Sequence, residues 1–309
     1  MRKRDVYYWQ ERSVLQNLGQ EWREHLVFKI IDDEEITGTG AATPNKEFGE
    51  TFKTSMAIVE SLRKITENFE NMNNIIEFEN NVHSIIKKDM AAKATIFLSV
   101  YDYISNKNNL KIENYYFDLK NNHQKEYFER VFIENNFETL KSENENIKLD
   151  IKKYTKPDDL IKIIKKYHEK NIIIDFSGLY NSLELNYILK STRDINIVAL
   201  EQPFNFGQEY QAQKYMNEGF KIYWDESFHT LIDFDRIHKY STGFVFSISK
   251  ISSLSNISSL LKYVKTKGYE TIISSEIEHP ANLMWSKKIS KAFDIIDLDF
   301  SKYVKETNK

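Results

Sequence analysis

NIIID (171–175), INIVALEQP (195–203) and KIYWDES (221–227) are three short apolar runs, each ending in or just before a carboxylate: Asp175, Glu201 and Asp225. They recur at about 25 residues, the usual length of a strand–helix repeat. Parallel strands in a barrel or open sheet direct their C-terminal side chains to one mouth, so the three acids are expected to meet in space. Gathered carboxylates repel one another. A hard divalent cation with oxygen ligands, Mg²⁺ or Mn²⁺, is the usual remedy, and the pattern reads as a metal triad. Strands also end in acids for no chemical reason, so polar strand ends remain the plainer alternative.

Outward from this stretch, strand and helix alternate from about residue 111 onward. Strands are expected at KIENYYFDL, NIKLDIKK, NIIIDF, INIVALEQ, KIYWDES, GFVFSIS, ETIISSEIE and DIIDLDF. Helices are expected between them, the first over 123–140 and the last over 280–292. Eight strands with seven helices describe a (β/α)7β modified TIM barrel. The runner-up is an open doubly wound sheet. It is disfavoured because GTGAATP (38–44) lacks a third Gly and opens no βαβ unit.

The first hundred residues break this rhythm. VYYWQ, EHLVFKIID and ITGTGAATP read as a small antiparallel sheet, rich in β-branched and aromatic residues. Helices follow at 51–69 and 74–88, and AAKATIFLSVYDYI (91–104) is apolar on nearly every face, as a buried helix is. The division is an α+β capping domain over 1–110, a barrel over 111–300 and a tail over 301–309.

Charge is nearly balanced, 43 basic against 46 acidic residues, so no basic footprint for nucleic acid or an anionic membrane is present. Cysteine is absent, which removes disulfides, thiolate catalysis and zinc–thiolate sites together. No apolar segment follows the basic MRKR start and no run approaches a membrane span. A cytoplasmic location is the default expectation.

Several motifs together resemble the enolase superfamily, in its muconate-lactonizing and dipeptide-epimerase branch. They are TGTGAATPNKEFGET (37–51), AAKATIFLSVYDYI, IIIDFSG (172–178), ALEQP (199–203) and WDES (224–227). The resemblance implies Mg²⁺ on Asp175, Glu201 and Asp225. It also implies removal of a proton α to a carboxylate whose developing enediolate the metal stabilises. One departure is Ser177, where the family usually has Asn.

The resemblance further implies a Lys-x-Lys pair on the second barrel strand and a facing lysine on the sixth. In IKLDIKK (147–153) Lys148 matches the first position, but Asp150 occupies the second; the earlier placement at TLKSE (139–143) puts Glu143 there. On the sixth strand the family lysine aligns with Ser247. Strand alternation places Lys250 on the opposite face, so it could substitute only through a slip or bulge. Asp150, raised in pKa by burial, could itself accept a proton with Lys148 beside it. Equally, the two form an internal ion pair. Asp297 and Asp299 alternate to one side of the last strand. In dipeptide epimerases a similar Asp-x-Asp receives the substrate ammonium, while DLD as a polar strand end is the alternative. Glu278 matches the family's seventh-strand acid and Glu276 is an extra one. His229 and His238 lack partners at metal-ligand spacing.

The expected activity is thus epimerisation of a dipeptide or another small carboxylate, in a protein that is a homo-oligomer by resemblance. Two alternatives stand beside it: a degenerate relative that binds ligand without turnover, and an o-succinylbenzoate synthase-like dehydratase.

Overall fold

The computed structural model describes residues 4–69, 74–120, 125–134, 137–138 and 142–308. Three strands, β1 (Asp5–Leu15), β2 (Trp22–Ile31) and β3 (Thr37–Ala42), form an antiparallel meander. Helices α1 (Phe52–Glu67), α2 (Ile75–Ile85) and α3 (Met90–Asn108) follow. Thr51 and Thr54 form a reciprocal capping box that starts α1, satisfying amides that the first turn otherwise leaves open. Helix α3 is buried on almost every face because β3 packs directly onto it. That approach requires Gly38 and Gly40: a Cβ at Gly40 would lie 2.1 Å from the Thr95 carbonyl oxygen.

The expected strand over 111–119 is instead a helical turn, α4 (Glu113–Tyr116). Local bonds from Asn114 N to Lys111 O (3.0 Å) and Tyr115 N to Ile112 O (3.1 Å) close it. Its aromatics therefore do not pack inside the barrel, and Tyr115 is exposed. The first barrel strand lies where a helix was expected, in two pieces, β4 (Glu126–Tyr127) and β5 (Glu129–Glu134). ERVFIE has four consecutive buried residues, a both-faces-covered pattern that periodicity alone does not separate from a helix. The rest of that expected helix falls partly outside the described residues.

Strand β6 (Phe137–Glu138) makes a short antiparallel hairpin with β5. Seven further parallel strands complete the barrel: β7 (Asn146–Ile151), β8 (Asn171–Asp175), β9 (Ile197–Glu201), β10 (Lys221–Trp224), β11 (Gly243–Phe246), β12 (Glu270–Ser274) and β13 (Ile295–Asp297). Helices α5 (Pro157–Lys165), α6 (Ser182–Ser191), α7 (Gln213–Asn217), α8 (Leu231–Ile237), α9 (Ile248–Ile251), α10 (Leu254–Thr266) and α11 (Pro280–Ile289) lie between them. Because β4 pairs with β13 while β5 pairs with β7, the sheet closes on itself. This is the (β/α)7β barrel with its α+β cap, save that among the described residues the hairpin strand β6, not a helix, links its first two strands. The expected tail contains one more strand, β14 (Val304–Asn308), antiparallel to β1, so the chain returns to the cap sheet. Among the described residues no helix is long and apolar enough to cross a membrane.

Inside the barrel, Phe128, Ile173, Ala199, Tyr223, Val245, Ile272 and Ile295 form one packed layer with a residue from each of seven strands. Strand alternation makes the residue two places later in each strand the next layer toward the mouth. That layer reads Arg130, Asp175, Glu201, Asp225, Ser247, Ser274 and Asp297, with Asp150 from β7 level with Asp175. The floor is apolar and the layer above it is charged.

The Gly40→Ala protein is expected to lose about 2–3 kcal/mol of stability, since the contacted atoms are helix backbone and cannot yield cheaply. Urea denaturation beside a Lys46→Ala surface control measures this; an unchanged midpoint would contradict the close β3–α3 packing.

Candidate active site at the barrel mouth

Register brings the acids together as expected. Asp150 is opposite Asp175, and Asp175 is opposite Glu201; Asp225 follows two residues after Tyr223, the partner of Glu201. The Glu201-Gln202 and Asp225-Ser227 pieces are locked to each other. The Gln202 side-chain carbonyl accepts from the Asp225 and Ser227 amides at 3.2 Å each, and its amide donates to Ser227 Oγ at 2.8 Å. Ser177 has φ +46°, a left-handed conformation that Asn tolerates better than Ser. Its amide donates to Asp175 Oδ1 at 3.1 Å.

Each acid meets a cation. Lys148 Nζ lies 2.5 Å from Glu201 Oε1 and 3.3 Å from both Asp175 Oδ2 and Asp297 Oδ2. Arg130 makes a two-pronged pair with Asp297, lies 3.2 Å from Asp150 Oδ2 and donates to Ser274 Oγ at 2.6 Å. Lys152 Nζ is 3.2 Å from Asp150 Oδ2 and 3.6 Å from Glu276 Oε1. Lys250 bonds Asp225 Oδ1, the Asp225 carbonyl at 2.9 Å and the Val245 carbonyl at 2.8 Å. Five carboxylates (Asp150, Asp175, Glu201, Asp225, Asp297) thus face four cations (Arg130, Lys148, Lys152, Lys250).

The electrostatics follow from burial and these pairs. Burial opposes the charge of Lys148, but Glu201, Asp175 and Asp297 outweigh it and hold its pKa well above the ordinary lysine value. Burial pushes Glu201 well above the carboxylate range despite Lys148, and its Oε2 is buried without a hydrogen-bond partner. Burial also raises Asp150, to about 6, against the pull of Lys152 and Arg130. Asp297 is held low: burial opposes its charge, but Arg130 and Lys148 prevail. Lys152 sets Glu276 down to about 2.

Several expectations change here. Strand β11 ends at Phe246, and Ser247 caps the helical turn α9. Helical spacing brings Lys250 back over Ser247 to the barrel mouth, so the face argument from strand alternation does not apply. The partners of Asp150 are Arg130 and Lys152, not Lys148. Asp297 is buried beneath Arg130 and Lys148, while Asp299 lies beyond the end of β13, exposed in a separate groove with Tyr127 and Lys287. The two do not form one ammonium site. Glu278 accepts from Ser249 Oγ (2.5 Å) and Thr43 Oγ1 (2.6 Å), and Thr43 in turn bonds His25 Nδ1 at 2.7 Å. It joins cap to barrel. His229 packs edge-on to Phe48 and His238 stacks on Phe234.

Arg130 and Lys152 were missed. Arg130 went with the misplaced first strand. Lys152 was legible, since 148, 150 and 152 share one strand face by parity.

Whether the acid trio fits a divalent ion can be judged from its oxygens. Their chemistry is that of a magnesium site, hard and anionic. Their arrangement is not: both Asp175 oxygens are engaged, one oxygen each of Glu201 and Asp225 is held by an ammonium, and among the described residues no three His, Asp or Glu side chains are gathered to hold a metal. As folded, the trio does not fit the ion.

Two clefts open above this layer. One of about 250 Å³ lies under the cap between Leu18, Arg23, Glu47, Lys152 and Glu276. The other, about 740 Å³, is lined by Glu47, Phe48, Ser177, Gln202 and Glu226 over the tips of β8–β10.

No protein-family model matches the chain, and no curated protein matches it by sequence. Solved structures do match. A dipeptide epimerase from Enterococcus faecalis, complexed with Mg and L-Leu-L-Tyr, superposes with a TM-score of 0.82 at 16% identity, covering 99% of this chain and 92% of that one. An N-succinyl Arg/Lys racemase from Bacillus cereus gives 0.85 at 16% identity, with 99% and 89% covered. An enolase family member from Agrobacterium tumefaciens with homology to dipeptide epimerases gives 0.76 at 14%, with 99% and 93% covered. The chain has the enolase-superfamily fold, and its structural neighbours are epimerases and racemases.

Burial raises Glu278 to about 7, against the Ser249 and Thr43 hydrogen bonds. The folded state thus keeps the Glu278 proton that the unfolded chain releases near 4.5, so its stabilising effect is present below that pH and is lost as pH rises toward 7. The Tm difference between Glu278→Gln and the parent is expected to favour the variant more at pH 8 than at pH 4.5. Thermal denaturation at both values checks this, and a difference independent of pH would contradict it.

Proposed function

We propose that this chain, which shares the fold of the epimerases, is a proton-exchange protein that takes a small amino-acid-derived carboxylate, a dipeptide or N-acyl amino acid, at the barrel mouth. It exchanges the ligand's α-proton from one face. The observation that carries this reading is the Lys152 amine, partly exposed in the cleft beneath Arg23 and Glu47 and seated on Asp150. Lys152 is an ammonium beside these carboxylates, so it takes the ligand's α-proton as it hands one of its own to Asp150, which burial raises to about 6 and which is thereby the proton's final acceptor. Arg23, from the cap, offers the ligand carboxylate a cation at the same cleft.

Two-base epimerisation needs a second proton-transfer group across the α-carbon. On that side Ser247 caps α9, and all three Lys250 donors are taken, so the reading is one-faced exchange with retention. The magnesium of the Enterococcus epimerase complex is not carried over, because the trio does not fit it. A second reading, ligand binding without turnover, is favoured by one specific observation: Lys152 is ion-paired twice, and although burial opposes its charge, Asp150 and Glu276 hold its pKa above the ordinary value.

Incubating the protein in D₂O with a panel of dipeptides and N-acyl amino acids separates the two. We expect α-deuteration without inversion on at least one member, reduced 100-fold or so in Lys152→Ala, within the range removed with a catalytic acid or base. No deuteration, with a panel member still raising Tm, would overturn the exchange reading and leave binding alone.

A further inference from the structure

We propose that Lys148 and Lys250 hold the acids at the tips of β8, β9 and β10 in place of a divalent cation, so that this barrel mouth is assembled without metal.

Charge and valence both support the substitution. Two ammonium groups carry the charge of one divalent ion, and each presents three N–H donors. Lys250 spends its three on Asp225 Oδ1, the Asp225 carbonyl and the Val245 carbonyl. Lys148 has three carboxylate oxygens, from Glu201, Asp175 and Asp297, within 3.3 Å. Between them the two lysines touch every member of the trio. A buried ammonium is stable only while its partners remain, and both lysines are almost completely buried, at 1% and 2% exposure. An ion bridging the trio would have to compete with Lys148 for Glu201 and Asp175 and with Lys250 for Asp225.

The rest of the mouth is fastened by hydrogen bonds that need no ion. The Ser177 amide fixes Asp175 Oδ1, and Gln202 fixes the backbone that presents Asp225. Glu201 Oε2 and Asp225 Oδ2 are the trio oxygens that no ammonium or amide holds, and two oxygens fall well short of the octahedral set that Mg²⁺ takes. Lys148 comes from the apolar floor layer, two residues below Asp150, and its long stem is what carries its charge upward. Ser247 contributes from the other side: by capping α9 it sets the helical turn that returns Lys250 to the mouth.

The inference concerns how the acids are held and stands apart from the proton-exchange reading; metal uptake and deuteration are separate readouts. Equimolar full-length protein should leave the EPR signal of free Mn²⁺ undiminished, and Mg²⁺, Mn²⁺ and EDTA should each leave Tm unchanged. Loss of the free Mn²⁺ signal in the parent protein, abolished by Asp175→Asn, would overturn the proposal. Lys148→Met should lower Tm at neutral pH and acquire Mn²⁺ uptake that the parent lacks. A folded Lys148→Met that still ignores Mn²⁺ would also count against the substitution. Should that variant not fold, the parent's EPR result decides alone.

Discussion

Five carboxylates gathered in one layer of a closed barrel, four of them buried and Asp225 half-buried, are the constraint on which the rest of this structure depends. Burying a charge is expensive unless a partner of opposite sign and good geometry goes with it. Here Arg130 arrives from β5, Lys148 and Lys152 from β7 and its end, and Lys250 from the helical turn after β11. Their positions explain local features that otherwise have no reason. Strand β11 stops early so that Lys250 can return, Ser177 takes a left-handed backbone that lets its amide reach Asp175, and Gln202 spends its whole side chain on the neighbouring loop.

The cap is tied to this layer by a second buried polar chain. Ser13, His25, Thr43, Glu278 and Ser249 are joined in sequence by hydrogen bonds of 2.5–2.8 Å. Burial drives His25 to about 3, so it stays neutral and passes the hydrogen-bond chain between cap strand and barrel loop without adding charge. Glu79 plays a like part further round, accepting from Tyr101 OH and from Ser255. Cap and barrel therefore meet through satisfied polar groups as well as apolar ones, and the two clefts lie between the same two bodies.

Much of this is legible in the sequence. Seven of the eight barrel strands, the buried helix α3 and the convergence of Asp175, Glu201 and Asp225 follow from period-two alternation and from acids at matching strand ends. The first barrel strand was not legible, because ERVFIE is buried on both faces and reads equally as helix. Arg130 was lost with it, and with Arg130 the reason Asp297 is a structural acid. The position of Lys250 depended on where β11 ends, and strand boundaries are set by tertiary contacts that local pattern does not encode. The cation that balances the acids was the deepest ambiguity: the sequence displays three acids in register, but which positive charge reaches them is decided by side-chain length and by what lies opposite.

The most direct test is an atomic-resolution crystal structure of the full chain grown with magnesium. The account predicts Lys148 Nζ in hydrogen-bonding contact with Glu201 and Asp175, and Lys250 Nζ on Asp225. Density for an octahedral ion bridging the three acids, with Lys148 turned away, would contradict it.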